Sequence, residues 1–114
     1  MKRVAPAVLL SAAVLTNANA AAPAIGSRWV SFTFSQQECM LRASAGVKAA
    51  GFTTRFEVVG MSSFGEVGDY TGLIRCIDES KTAVVVVAGP EKQRTEELLT
   101  RLMDELKGLP SSPR

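Results

Sequence analysis

The chain has two cysteines, Cys39 and Cys76, and the faces on which they fall limit how everything between them can be arranged. Residues 35–38, Ser-Gln-Gln-Glu, form a capping box, in which a serine oxygen accepts from the amide three residues on and the glutamate reaches back. A helix is expected from there. Cys39, Ala43, Val47 and Ala50 recur every three or four positions as one apolar stripe, with Arg42 and Lys48 off it. Gly51 is placed to end the helix in a left-handed conformation. Cys76 lies in a strand expected over residues 70–77. There Tyr70, Gly72, Ile74 and Cys76 share one face, and Thr71, Leu73, Arg75 and Ile77 share the other.

With Ile74 turned toward the helix, both cysteines point into one helix–sheet interface, and a Cys39–Cys76 disulfide is expected. It would close a loop of 37 positions, which the chain-entropy account values at about 4 kcal/mol. A small domain has only about 5–10 kcal/mol in total. The competing reading makes Cys76 a nucleophile with Arg75 lowering its pKa. Geometry opposes it, because adjacent strand residues point to opposite faces. No Cys-x-x-Cys is present for dithiol exchange.

A structural disulfide requires an oxidising compartment, and the first twenty residues supply a route to one. Lys2 and Arg3 precede an apolar stretch from Val4 to Leu15 that ends on Ala18-Asn19-Ala20, the layout of a secretory signal peptide. Pro6, Asn17 and Asn19 interrupt the run, whereas a membrane-spanning helix needs about 20 apolar residues. The expected location is therefore periplasmic or secreted, without a membrane span after cleavage. Lys2 and Arg3 are two of the 13 basic residues, so what remains carries 11 Lys+Arg against 11 Asp+Glu. The formal charge of +2 thus belongs to the targeting signal. No basic stripe is left for nucleic acid. Histidine is absent, which removes imidazole acid–base catalysis, His-dependent nucleophiles and His-containing zinc sites. No catalytic residue, metal ligand or cofactor motif is assigned.

The remaining elements are read from periodicity. Residues 28–34 alternate Val30, Phe32 and Phe34 against Trp29, Ser31 and Thr33, the pattern of a strand. Residues 52–59 alternate Phe52, Thr54, Phe56 and Val58 against Thr53, Arg55, Glu57 and Val59, a second strand. Residues 60–69, with three glycines and two serines, read as a flexible connection. The polar turn at residues 78–81 joins the strand of Cys76 to residues 82–88, Thr-Ala-Val-Val-Val-Val-Ala, as an antiparallel hairpin. This apolar run suits a central strand buried on both sides. Pro90 fits the first turn of a final helix, with Glu91 at its positive end. That helix carries Leu98, Leu99, Leu102, Met103 and Leu106 on one stripe and ends at Gly108 and Pro110.

The expected fold is α+β in the order β-α-β-β-β-α. It is a two-layer sandwich with two helices on one face of a mostly antiparallel four-stranded sheet. The organisation is a signal peptide at 1–20, a flexible leader at 21–27, one globular domain at 28–109 and a disordered tail at 110–114. Arg55, Glu57, Leu73, Arg75 and Ile77 then project from the uncovered face as a candidate binding surface. The plainer reading of the same residues is a solvated face with weak cross-strand ion pairs. Met61, Phe64 and Glu66 in the residue 60–69 segment are a candidate recognition loop; equally, Met61 and Phe64 could tuck onto the edge of the core. That segment lacks the lysine and following helix of a phosphate loop. The carboxylate pairs Asp78-Glu79, Glu96-Glu97 and Asp104-Glu105 read as solvated charges.

Four short patterns stand together: Phe32-x-x-Ser35-x-x-x-Cys39, Ala50-Gly51-Phe52, Tyr70-x-x-x-Ile74-x-Cys76 and Val86-Val87-Ala88-Gly89-Pro90. With the exported leader they resemble short exported bacterial proteins of unknown function, over roughly residues 28–107. The resemblance implies a small extracytoplasmic domain with a cysteine link and brings no catalytic residues. The sequence thus points to a non-enzymatic, disulfide-stapled domain that binds a protein or small ligand in the extracytoplasmic space. The alternatives are a structural homodimer subunit and a small extracytoplasmic enzyme without a recognisable catalytic motif. N-terminal sequencing of the exported protein is expected to begin at Ala21. A chain still carrying Met1 would overturn the assignment of the signal peptide.

Overall fold

The computed structural model describes residues 22–108. The expected signal peptide and the tail at 110–114 lie outside them. The elements are β1 (Ala24–Ser31), α1 (Gln36–Ala49), β2 (Thr54–Val59), β3 (Ser62–Val67), β4 (Tyr70–Ile77), β5 (Thr82–Gly89) and α2 (Lys92–Lys107). All five strands join one sheet in the order β1-β5-β4-β3-β2, and every neighbouring pair is antiparallel. Strands β2 to β5 form a meander. β1 returns beside β5 at the opposite edge from β2, so α1 crosses the whole sheet between them.

The α+β class and the two helices match the sequence reading, but the sheet has five strands and the order β-α-β-β-β-β-α. The extra strand is β3, within the segment expected to be a loop. Two-residue turns flank it, at Gly60-Met61 and Gly68-Asp69, and each turn opens on a glycine with φ near +60° (59° and 57°). Such turns match the twist of a hairpin. The glycines that suggested a flexible connection are therefore the corners of two tight hairpins. β1 also starts earlier than expected. Its register from Ala24↔Gly89 to Ser31↔Thr82 takes in residues 24–27 of the expected leader and leaves Phe32 and Phe34 beyond its end. Small residues have weak strand preference of their own, and the valines of β5 supply the partner.

The helices follow their signals closely. The Glu38 amide donates to Ser35 Oγ at 3.0 Å, as a capping box requires, although the Glu38 carboxylate pairs with Arg42 instead of reaching back. Gly51, at φ 103°, and Gly108, at φ 80°, turn the chain out of the two helices. Pro90 lies one residue ahead of the N-cap of α2, which is Glu91, and so precedes the first turn it was expected to occupy.

Both helices cover one face of the sheet and touch each other, with Gly46 of α1 set against Glu105 of α2. Between helices and sheet lie Cys39, Ala43 and Val47 from α1, Leu98, Leu99, Leu102 and Leu106 from α2, and Ile74, Cys76, Ala83, Val85 and Val87 from the strands. The Cys39–Cys76 disulfide is present, fully buried within this cluster, and spans a Cα–Cα distance of 6.2 Å. It ties the first turn of α1 to β4, the middle strand. Beside it, Gln36 Nε2 donates to the Cys76 carbonyl at 3.0 Å. Farther along α1, the hydroxyls of Ser44 and Ser63 meet at 2.9 Å and satisfy the fully buried serine of β3.

Phe52 is not part of β2. It follows the end of α1 and packs, fully buried, over the cross-strand pair Gly65↔Gly72. A Cβ at Gly72 would stand 2.8 Å from the Phe52 ring, and one at Gly65 would collide with the Phe52 carbonyl. The two glycines form a slot that admits the aromatic ring and its backbone.

Two outcomes are expected. The unreduced protein takes up no thiol-alkylating reagent, and the Cys39→Ala/Cys76→Ala variant loses about 4 kcal/mol of unfolding free energy in urea. Gly72→Ala costs about 1–3 kcal/mol by overpacking. Gly65→Ala costs more, because backbone yields less readily than a ring. Equal stability of both variants with the parent would show that the slot is not tightly filled.

Candidate functional site

The described elements leave the other face of the sheet uncovered. The strand register assigns its occupants, since residues paired directly across strands share a face. One row runs Trp29, Val84, Arg75, Ser62, Val59 from β1 to β2. The next runs Ser27, Val86, Leu73, Phe64, Glu57, and a third runs Ile25, Ala88, Thr71, Glu66, Thr54. Ile77, Thr82 and Ser31 complete the face at the far end.

The middle of this face is apolar. Val84, Val86, Leu73, Phe64 and Ile77 are half-buried, while Trp29 is 76%, Ile25 69% and Val59 57% exposed. Monomeric surfaces usually scatter single exposed hydrophobic residues; here apolar side chains from all five strands share one face. Its source is the four-valine run of β5. That run was expected to be buried on both sides, and the strand is interior to the sheet, but only Ala83, Val85 and Val87 are covered. Val84 and Val86 have the same apolar chemistry with no described layer over them.

Charge surrounds the patch unevenly. Arg75 sits in the middle strand and donates to Ser62 Oγ at 3.2 Å, shielding that hydroxyl from solvent. Among the described residues it meets no carboxylate within ion-pair distance. Glu57 flanks the patch on the β2 side. Arg55 does not lie in the regular ladder. It occupies a β-bulge between Thr54 and Glu57 at φ 52°, and its exposed side chain pairs with Glu66 at 3.1 Å. Leu73, Arg75, Ile77 and Glu57 thus share the open face, and Arg55 borders it. Phe64 and Glu66 join them as part of β3. Met61 stands apart in the β2–β3 turn, where its carbonyl accepts from the Cys76 amide at 2.9 Å. The residues expected as two sites, a face and a loop, form one surface with Met61 at its rim.

Trp29, Ile25, Val59, Val84 and Val86 were missed as site residues. Two signals in the sequence mark three of them, Trp29, Val84 and Val86. The valine run is apolar at odd and even positions alike, and Trp29 falls on the phase opposite Val30. Each says that both faces of the strand carry apolar side chains, whereas a strand with one solvated face alternates with polar residues.

Among the described residues no three Cys, Asp or Glu side chains cluster in a way that could hold a metal ion, and both cysteines are oxidised. A depression of about 400 Å³ beside the start of β1, lined by Ala22, Pro23, Asp69, Gly89 and Pro90, brings together one ionisable side chain and no second polar one. No described helix is long and apolar enough to cross a membrane. No family model matches the chain, and no curated protein is significantly similar to it.

Proposed function

We propose that this protein is a small exported, non-enzymatic binding domain whose open sheet face docks a partner protein. The observation that carries the reading is the uncovered valine face of β5, continued by Trp29, Leu73 and Phe64 across the sheet. An apolar surface spread over the open face of a sheet suits another protein better than a small molecule, since small ligands are held in concave pockets that bury most of their surface. An exposed tryptophan beside aliphatic residues is also the kind of anchor on which protein interfaces concentrate their energy. The partner chemistry follows from the charges. It presents a row of apolar side chains to Val84, Val86 and Leu73, and a carboxylate to Arg75, whose guanidinium has no ion-pair partner among the described residues.

Export and the resemblance to short exported bacterial proteins belong to the same reading. Support comes from the signal-peptide layout of residues 1–20 and from the buried disulfide, a bond that persists in oxidising compartments. The staple suits a binding module of this size, because it ties α1 to the middle strand without needing a large core.

Photo-crosslinking in the native compartment tests the proposal. A photoreactive side chain at Val86 or Leu73 is expected to trap one discrete protein. Arg75→Glu should weaken that adduct by about ten-fold, the effect of roughly 1.4 kcal/mol. The same probe at Lys48 or Arg94, on the helical side, should not trap it. Adducts that are equal from both sides of the molecule, or absent from the open face, would refute the reading.

A further inference from the structure

We propose that two copies of this chain pair along β1, antiparallel and centred on Ser27, to make one continuous sheet of twice the width. The pairing uses the edge of the sheet and does not depend on what docks on its face.

The phase of the ladder shows what the edge offers. Phe32 N donates to Lys81 O at 2.9 Å, immediately beyond the Ser31↔Thr82 pair. Hydrogen-bonded and non-hydrogen-bonded pairs alternate along antiparallel strands. The amides and carbonyls of Ala24, Gly26, Arg28 and Val30 therefore point at β5. Those of Ile25, Ser27, Trp29 and Ser31 point away from the sheet. The side chain of Arg28 confirms this phase, because its Nη1 donates to Ser27 O at 2.8 Å, which the carbonyl can accept only on its open side. A carbonyl oxygen has two lone pairs, so room for a second donor remains.

In the Ser27-centred register the two Ser27 residues exchange backbone hydrogen bonds, and Ile25 of each copy exchanges them with Trp29 of the other. All six bonds come from groups that already face outward. The side chains agree with the backbone. Ile25 and Trp29, the two most exposed apolar side chains of β1, become cross-strand neighbours at both ends of the pair. On the helix-covered side, Arg28 comes to lie opposite the second copy's Gly26. Glu96 stands over Gly26, with Oε2 3.0 Å from the place a Cβ would occupy, while its Oε1 accepts from Arg28 at 2.8 Å. Each Glu96 is then flanked by one arginine from each copy. Moving the centre of the pair by one residue, from Ser27 to Arg28, would set Arg28 against Arg28, a destabilising like-charge pair.

The two edges of the sheet differ in the way this requires. Natural edges are blunted by bulges, charges and irregular backbone. β2 has a bulge and a positive-φ arginine. β1 is eight residues long, regular along its full register, and free of proline.

Sedimentation of the exported protein, purified with its disulfide intact, tests the pairing across a concentration series. Strand pairing alone buries less than a large interface, so association with a dissociation constant of about 10–100 µM is expected. Ser27→Pro removes an outward amide without touching the ladder to β5, and it should leave a monomer at all concentrations. Because that variant could unfold, Ile25→Glu and Trp29→Lys, both at exposed positions, serve as a second set. Each alone should be monomeric, and their mixture should regain the heavier species, since the new charges then face one another across one end of the pair. Leu73→Glu, on the open face, should dimerise like the parent. A parent that stays monomeric throughout would overturn the proposal. So would a dimer that survives Ser27→Pro, a dimer lost in Leu73→Glu, or a mixture that fails to reassociate.

Discussion

The covalent link between α1 and β4 is the constraint on which the rest of the structure depends. β4 is the middle of five strands, and Cys76 is fully buried on the side that faces the helices. Fixing Cys39 to it decides which face of the sheet is covered. Every other alternation then follows: Ile74 and Gly72 inward with Cys76, Leu73 and Arg75 outward. The crossing of α1 from one sheet edge to the other is long, and the disulfide adds a covalent tie to the contacts that Ala43, Val47 and Ser44 make along it. The slot at Gly65 and Gly72 sets how close the far end of that crossing can come, because Phe52 enters it directly after the helix ends.

Much of this arrangement is legible in the sequence, for identifiable reasons. The helical stripe through Cys39, Ala43 and Val47 and the strand phase through Ile74 and Cys76 are both strong periodic signals, and their agreement gives the disulfide and the covered face. Helix ends are equally plain, since Ser35 and the two left-handed glycines act locally. The fifth strand is not legible in this way. Ser62, Ser63 and Gly65 have weak strand preference, and Ser63 and Gly65 are small because α1 and Phe52 approach them closely. That is a tertiary requirement which leaves a loop-like composition. The early start of β1 is hidden for a related reason: Ala24, Gly26 and Ser27 become a strand through the partner they meet in β5.

The candidate site shows the same division. Leu73, Arg75, Ile77 and Glu57 can be placed on one face from their phase within single strands. Their union with Phe64, Glu66, Trp29, Val84 and Val86 requires the order of strands in the sheet, which no single segment encodes. The valine run is the instructive case. Its pattern says that both faces are apolar, and the natural inference is a strand enclosed on both sides within one domain. The structure separates those statements, leaving half of the run apolar and uncovered by any described element.

The bulge at Arg55 has a consequence for growth. A sheet with two open edges can add neighbours at both and extend without limit, as fibres do. Here one edge is irregular, with its arginine held in a left-handed conformation and tied to Glu66. Addition of strands can therefore proceed from one side only, and any assembly built that way is complete at two. In a chain that presents an apolar sheet face and a long regular edge together, this single irregularity separates a closed pair from an open polymer.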